Sequence, residues 1–372
     1  MLTIGHFVND LPWAVFAVAA LAFALGTRLR FGARLAWIAV LAACCAKFWA
    51  FGRFGGSRYN PVLPAALLLA WNLAFSWAAG VAALGLVWWH RRSRAVAVPL
   101  VAALLAAWGN WCGLRLPDVR EIDLEVPDLP AELEGYRIVQ VSDLHASTAL
   151  RRWRTESVVK QVNALGPDLI CLTGDLVDGE PEVAADFVEP IRDLRARDGV
   201  WAVTGNHEYF YSRTDWGRCY AAWGIRFLSN ECAFPRKSLA LGGVNDPRAL
   251  KRGASESEFP DVGRAFAAAT NGEFRVLMQH QPGEARENLT RHRVNLQLSG
   301  HTHGGFMPGI SAIISRACDG FVRGLYRIGG NALYVSPGCG QCTWLPVRYL
   351  DPSEITVFRL VNYGKIRGCC SE

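Results

Sequence analysis

Asn295-Leu-Gln-Leu-Ser-Gly300-His301-Thr302-His303-Gly304-Gly305 decides how this chain is read, because a short apolar run ends abruptly in two histidines framed by glycines. A brief run of this kind bounded by glycine is a strand signal, and the residues past its end belong to a turn. Four more stretches repeat the arrangement. Residues 137–141 lead into Asp143-Leu144-His145, 168–173 into Gly174-Asp175, 200–204 into Gly205-Asn206-His207-Glu208, and 275–279 into His280. Five of the chain's eight histidines therefore stand at the ends of expected strands.

Helical patterns over 155–165 and 183–195 separate the early strands, so the alternation predicts βαβ units, whose ligands lie at the carboxyl ends of the strands. The blocks then converge on one rim. Aspartate oxygens, an asparagine amide oxygen and several imidazoles form a borderline-hard donor set suited to Mn²⁺, Fe or Zn²⁺. No cysteine is required. Any one of these histidines alone reads as a core residue or a surface cap, but the ordered set of blocks does not.

Taken together and in this order, the blocks resemble those of the calcineurin-like metallophosphoesterases, and within them the membrane-attached bacterial phosphodiesterase branch. The resemblance runs roughly over residues 136–360. It implies that Asp143 and His145, completed by His303, hold one metal ion, that Asp175 bridges two, and that Asn206, His280 and His301 hold the second. It further implies that His207 is the catalytic acid beside the leaving group, outside the ligand set. Two positions depart from the family pattern: Ser142 stands where many members have glycine, and Phe306 follows the double glycine where related enzymes carry a polar residue.

Two divalent ions about 3.5–4 Å apart deprotonate a shared water at neutral pH and neutralise phosphoryl oxygens during in-line displacement. That chemistry needs a bridging carboxylate, for which Asp175 is the candidate. Gly174 and Gly205 let the backbone turn sharply, and Gly304-Gly305 leave room for a phosphate. A charged histidine near the leaving oxygen can donate a proton once a neighbouring carboxylate orients it. Glu208, or a residue adjacent only in space, is expected to be that carboxylate.

The first third of the chain has a different composition. Residues 11–26, 35–51, 62–89 and 95–111 are almost wholly apolar, and a helix needs roughly 20 such residues, or as few as 17, to cross a bilayer. Basic or turn-forming residues separate the runs, and tryptophans gather near their ends, where indole favours the interface. No small-residue cleavage site follows the first run, so the expectation is four spans in a multi-pass protein of the bacterial inner membrane. Six arginines (Arg28, Arg30, Arg34, Arg91, Arg92, Arg94) flank one side and four (Arg53, Arg58, Arg115, Arg120) the other, which places the catalytic domain outside the cytoplasm. The net charge of +6 favours an anionic membrane surface over nucleic acid, for which no motif is present.

The 11 cysteines do not form a disulfide framework. Cys44, Cys45 and Cys112 fall in apolar runs and Cys171 in a strand, where it reads as a small hydrophobe. Cys339-Gly-Gln-Cys342 is spaced for a redox pair or half a zinc site, with no second CxxC to complete one, and Cys369-Cys370 is the other suggestive pair. Residues 306–314 form an apolar loop directly after the last histidines, placed either to pack under the sheet or to dip toward the bilayer. Tyr209, Phe210 and Tyr211 either line the same mouth or close the core.

The expected architecture is a transmembrane helical region over 1–116, all-α with about four helices, followed by a four-layer α/β/β/α metallophosphoesterase sandwich over 117–372. The expected activity is metal-dependent hydrolysis of a phosphodiester, phosphomonoester or pyrophosphate bond, with two divalent ions as cofactors and membrane lipids as partners. Membrane attachment leans the substrate toward a lipid-linked phosphoester, and family precedent includes UDP-diacylglucosamine pyrophosphate cleavage. The alternative is a non-catalytic membrane receptor or scaffold with a metallophosphoesterase-like domain, which the complete set of ligand positions disfavours. A transporter is disfavoured because the spans carry almost no acidic residues to act as relays.

Overall fold

The computed structural model describes residues 97–147, 151–251, 255–270, 272–305, 310–341, 347–349 and 351–362, together with Trp77. They fall into two compact units. In the smaller, helix α1 (Ala97–Leu114) shares its unit with residues 347–349, where Arg348 N donates to Gly109 O at 3.0 Å. The expected spans 11–26, 35–51 and 62–89 lie outside the described residues save Trp77. Among the described residues no helix is long and apolar enough to cross a membrane.

The larger unit starts with β1 (Asp118–Val126), at one edge of its sheet, and β2 (Arg137–Val141). Helix α2 (Arg151–Ala164) leads to β3 (Leu169–Leu172), α3 (Pro181–Val188) to β4 (Val200–Ala202), and α4 (Asn206–Phe210) with α5 (Arg213–Ala222) to β5 (Arg226–Phe227). The helix expected over 183–195 stops at Val188 because Pro190 has no N–H to extend the ladder, and a tight turn over Glu189–Asp193 follows. A second series then begins with β6 (Glu231–Arg236), β7 (Leu239–Gly243), α6 (Val262–Ala265), β8 (Phe274–Met278), α7 (Ala285–Arg291) and β9 (Leu296–Ser299). It closes with α8 (Ile310–Ala317), β10 (Gly324–Ile328) and β11 (Asn331–Val335), after which β12 (Glu354–Asn362) returns to the first sheet.

Two six-stranded mixed sheets result, ordered β1-β12-β2-β3-β4-β5 and β10-β11-β9-β8-β7-β6. Strands β2 to β5 are parallel to one another, as are β7, β8, β9 and β11. Strand β12 inserts parallel to β1 and antiparallel to β2.

The period-two alternation of strand side chains decides the layering. Ile138, Leu169 and Cys171 join Leu241, Val276 and Met278 in one buried cluster, which therefore lies between the sheets. Their immediate neighbours Val139, Ile170 and Leu172 point the other way, into a cluster with Val158 and Val162 of α2, Val188 of α3 and Trp216 of α5. On the second sheet Ala240, Leu277 and Leu333 pack on Val262 of α6 and on Ala285 and Leu289 of α7. The order is helix, sheet, sheet, helix. Cys171 is fully buried between the sheets, in keeping with its reading as a small hydrophobe.

Candidate metal centre

Because β2, β3 and β4 run parallel in one sheet and β8 and β9 in the other, each sheet delivers its loops at one edge. The chain leaves those strands in unusual conformations. Asp143 (φ 52°), His145 (φ 47°), Asp175 (φ 51°), His301 (φ 71°) and His303 (φ 49°) all adopt the left-handed region. For non-glycine residues this costs on the order of 1 kcal/mol or more each, so it persists only where surrounding contacts enforce it. The contacts are present: Asp143 N donates to Gly174 O (3.0 Å), His145 N to Asp175 O (3.1 Å) and Gly300 N to His280 O (2.9 Å). Glycine is obligatory at two of the closest approaches. A Cβ on Gly205 would strike Asp175 Oδ1, and one on Gly300 would strike Ser142 Oγ and Asp143 Oδ2.

The side chains converge. His145 Nε2 lies 3.1 Å from His303 Nε2, which is 3.5 Å from Asp143 Oδ1. Asp175 Oδ2 is 3.2 Å from His280 Nε2 and 3.9 Å from both His145 Nε2 and His207 Nε2. Three overlapping groups could hold a metal ion: Asp143 with His145 and His303, His145 with Asp175 and His207, and Asp175 with His280 and His301. The donor chemistry fits a cation. His280 Nδ1 is 2.8 Å from Thr173 O, to which it donates, so in the neutral ring the Nε2 lone pair faces the Asp175 carboxylate. Asn206 Oδ1 is buried with no protein hydrogen-bond partner, which leaves an oxygen donor in the loop whose neighbour His207 N binds Asp175 Oδ1 at 2.8 Å.

Burial and charge pull the ionisable groups apart. Burial raises the Asp143 carboxyl above its ordinary range. Burial acts the same way on Asp175, yet the imidazoles of His280 and His207 outweigh it and hold that carboxyl well below. Burial opposes charge on His280, but the carboxylates of Asp175 and Asp143 prevail and raise it well above the usual imidazole value. His301 goes the other way, pushed down to about 3 by burial and by the charge of His280.

Residues 136–305 match the family model for calcineurin-like phosphoesterases. The metallophosphoesterase YkuE of Bacillus subtilis is 32% identical over 273 residues, covering 70% of this chain and 93% of that protein. This chain belongs to the calcineurin-like phosphoesterases. A metallophosphoesterase of Helicobacter pylori strain J99 is 32% identical over 255 residues, 68% of this chain, and a Danio rerio transmembrane protein with metallophosphoesterase domain is 31% identical over 270 residues, 69% of this chain. The chain spans 66% of the length of the first and 60% of the second.

Within this calcineurin-like phosphoesterase the structure brings Asp143, His145, Asp175, His207, His280, His301 and His303 into overlapping groups, and the carboxylate that orients the imidazoles is a residue adjacent only in space. Asp178, not Glu208, faces the imidazoles: its Oδ1 is 2.5 Å from His207 Nδ1 and 2.9 Å from His145 Nδ1. Burial opposes charge on Asp178, but the two imidazoles outweigh it and lower its pKa. His207, opposed by burial but flanked by Asp175 and Asp178, is raised to about 9, so its ring carries a proton at neutral pH. Glu208 instead accepts from Asp175 N (3.0 Å), Leu176 N (2.9 Å), Gly205 N (2.7 Å) and Tyr220 Oη (3.2 Å), which braces two loops against each other. The signal for Asp178 was its place three residues after Asp175, inside the same loop.

Ser142, the departure noted before Asp143, donates to Asp143 Oδ2 at 2.6 Å and so supports the carboxylate. Phe306, and with it residues 306–309, lies outside the described residues. The expected apolar loop is helical from Ile310, and Ile313 is 46% exposed, so this side chain does not pack under a sheet. Phe210 and Tyr211 flank His207 at ring distances of 5.2 and 6.0 Å, and Tyr209 beside them is half-buried. Cys339 is buried; Cys342, Cys369 and Cys370 lie outside the described residues.

Proposed function

We propose that the chain is a membrane-anchored, dinuclear metal-dependent phosphoesterase that hydrolyses a phosphodiester, phosphomonoester or pyrophosphate bond, with a lipid-linked phosphoester as its substrate. The observation that carries this reading is the placement of Asp175. One carboxylate oxygen faces Nε2 of His280 at 3.2 Å and of His145 at 3.9 Å, so it is shared by groups that would hold two different ions. Asp143, His145 and His303 would hold one ion, and Asn206, His280 and His301 the other, with Asp175 between them. Two divalent ions, of Mn, Fe or Zn, would supply there the activated water and the positive charge that phosphoryl transfer requires.

The protein's own residues then divide the remaining work. His207, protonated and held by Asp178, stands ready to give a proton from Nε2 to the leaving oxygen while Nδ1 stays anchored. The rings of Phe210 and Tyr211 pack beside it and limit water access. Ser142 and the His301 amide, which donates to Asp143 Oδ1 at 3.0 Å, fix the direction of that carboxylate.

Membrane anchoring is supported by the four apolar runs within residues 1–116, by the exposure of Leu104, Leu105, Trp108 and Trp111 on α1, and by relatives named as transmembrane proteins. We place the protein in a bacterial inner membrane with residues 117–372 outside the cytoplasm, on the arginine asymmetry of the connecting segments. Full-length protein in detergent is expected to hydrolyse bis(p-nitrophenyl) phosphate with at least one of Mn²⁺, Fe²⁺ and Zn²⁺ and to lose that activity in chelator; inactivity with all three contradicts the reading. Reporters fused after Pro117 and at Glu372 read the topology, and cytoplasmic signal from both overturns the orientation alone.

A further inference from the structure

We propose that Gln140 is a positioning residue that keeps the metal ligands of the two sheets aligned. The inference rests on the metal-dependent reading above and deepens it. Asp143, His145 and Asp175 follow β2 and β3 of one sheet, whereas His280, His301 and His303 follow β8 and β9 of the other. Asp143 and His145 must meet His303, and Asp175 must meet His280 and His301, so each of these groups combines both sheets. Ligands that have to hold a working geometry to within about 0.5 Å need a fixed support, and here that support has to tie one sheet to the other.

Gln140 is next to last in β2, and the alternation that turns Val139 toward the helices turns Gln140 into the space between the sheets. There its Nε2 donates to Ser299 O of β9 at 2.9 Å and to Thr173 Oγ1, just past β3, at 3.0 Å. Both amide protons are thus used. Ser299 stands two residues before His301, Thr173 two before Asp175, and Gln140 itself three before Asp143. One amide therefore joins the ends of three ligand-bearing strands, and the bond to Ser299 crosses from sheet to sheet. Thr173 extends the tie, because its carbonyl oxygen accepts from His280 Nδ1 at 2.8 Å.

Gln140, Thr173 and Ser299 are all fully buried, so no solvent competes for these bonds. The orientation of the amide follows from its partners, since Ser299 O can only accept and must face Nε2. That leaves Oε1 buried without a hydrogen-bond partner among the described residues. Ile138 on the same face and Cys171 opposite in β3 belong to a hydrophobic cluster, where an apolar side chain of the same length would fill the position without stranding an acceptor. Packing alone therefore does not account for a glutamine here. What it adds is the pair of donors.

The test titrates full-length protein in detergent, stripped of metal, with Mn²⁺, followed by calorimetry and by low-temperature electron paramagnetic resonance. In wild type, two ions sharing Asp175 should give the exchange-coupled spectrum of a bridged pair. Gln140→Met keeps the length of the side chain and removes both donors. It should lose roughly 10- to 100-fold in Mn²⁺ affinity, the range for residues that orient ligands, and its coupled spectrum should weaken at Mn²⁺ levels that saturate wild type. A purely structural role would move only the melting temperature, so affinity and spectrum equal to those of wild type overturn the proposal. Should Gln140→Met not fold, Thr173→Val and Thr173→Ser decide. The valine variant removes one acceptor and should bind Mn²⁺ more weakly, and the serine variant keeps the hydroxyl and should bind like wild type. Wild-type affinity in Thr173→Val, or an equal loss in Thr173→Ser, overturns the proposal as well. If wild type binds Mn²⁺ without a coupled spectrum, the two-ion reading fails instead, and the affinity difference between wild type and Gln140→Met still decides the role of Gln140.

Discussion

The space between the sheets and the rim above it are made of opposite materials. Between the sheets Ile138, Leu169, Val276 and Leu296 are fully buried on regular strands, and a uniform apolar interior needs nothing more than volume and alternation. At the rim Asp143, Asp175, Asp178 and Glu208 are buried together, two with pKa values raised and two with values lowered, and five non-glycine residues hold left-handed backbone. Uncompensated, that concentration of carboxylate would expel itself from the protein. The imidazoles offset part of it, and bound cations would offset the rest. The interior supplies the rigidity that the rim draws on.

Replacing His207 with alanine should break the comparison most sharply, because it removes chemistry while leaving the proposed ligands in place. Turnover should fall by roughly 10²–10⁴ with metal content unchanged, and the loss should shrink for esters with good leaving groups. An equal loss on nitrophenyl and alkyl esters argues against the acid role. The complementary change lies at the start of β3, far along the strand from Asp175. Leu169→Ala should destabilise folding by about 2–5 kcal/mol through lost contacts and a residual cavity, read by urea unfolding, with the rate per folded molecule unaltered. A rate that fell in step with stability would show that the interior and the rim are not separable.

Asp178→Asn sharpens the boundary between orientation and ligation. The amide keeps the shape but cannot hold two imidazoles by charge, so kcat should drop roughly 10- to 100-fold and the acidic partner of His207 should be lost. His207, raised to about 9 by Asp175 and Asp178 against burial, is charged below that pH and releases its proton above it. In Asp178→Asn the alkaline limb of the kcat profile should therefore move to lower pH; an unmoved limb would remove Asp178 from the pairing. The smallest effect is expected at α8. The double change Ile313→Ser and Ile314→Ser should weaken cleavage of a lipid-linked phosphoester in vesicles several-fold, since burying an exposed isoleucine in an interface contributes on the order of 1–3 kcal/mol. Cleavage of bis(p-nitrophenyl) phosphate should be far less affected, and parallel losses would make α8 part of the core.

The contrast between interior and rim also marks what the sequence reveals. Strands β2, β3, β4, β8 and β9 were legible from apolar runs ending at glycine or histidine, and so were the blocks at their ends that carry Asp143, His145, Asp175, Asn206, His280, His301 and His303, to which only the family resemblance gives ligand roles. Pairings between distant segments were not. Strand β12 slots between β1 and β2 across more than two hundred residues, and no local pattern specifies such a neighbour. Asp178 escaped for a related reason. Its role depends on facing two imidazoles from different loops, and a lone aspartate at a turn has the same local signature as any surface residue.

Asp175 is proposed to hold two ions with one carboxylate. Elemental analysis of purified wild type and Asp175→Asn, after gel filtration in metal-free buffer, tests it most directly. Wild type should retain about two divalent ions per chain and Asp175→Asn fewer than one, because the neutral amide offers a single oxygen to what the carboxylate shared. Two tightly held ions remaining in Asp175→Asn would contradict the account.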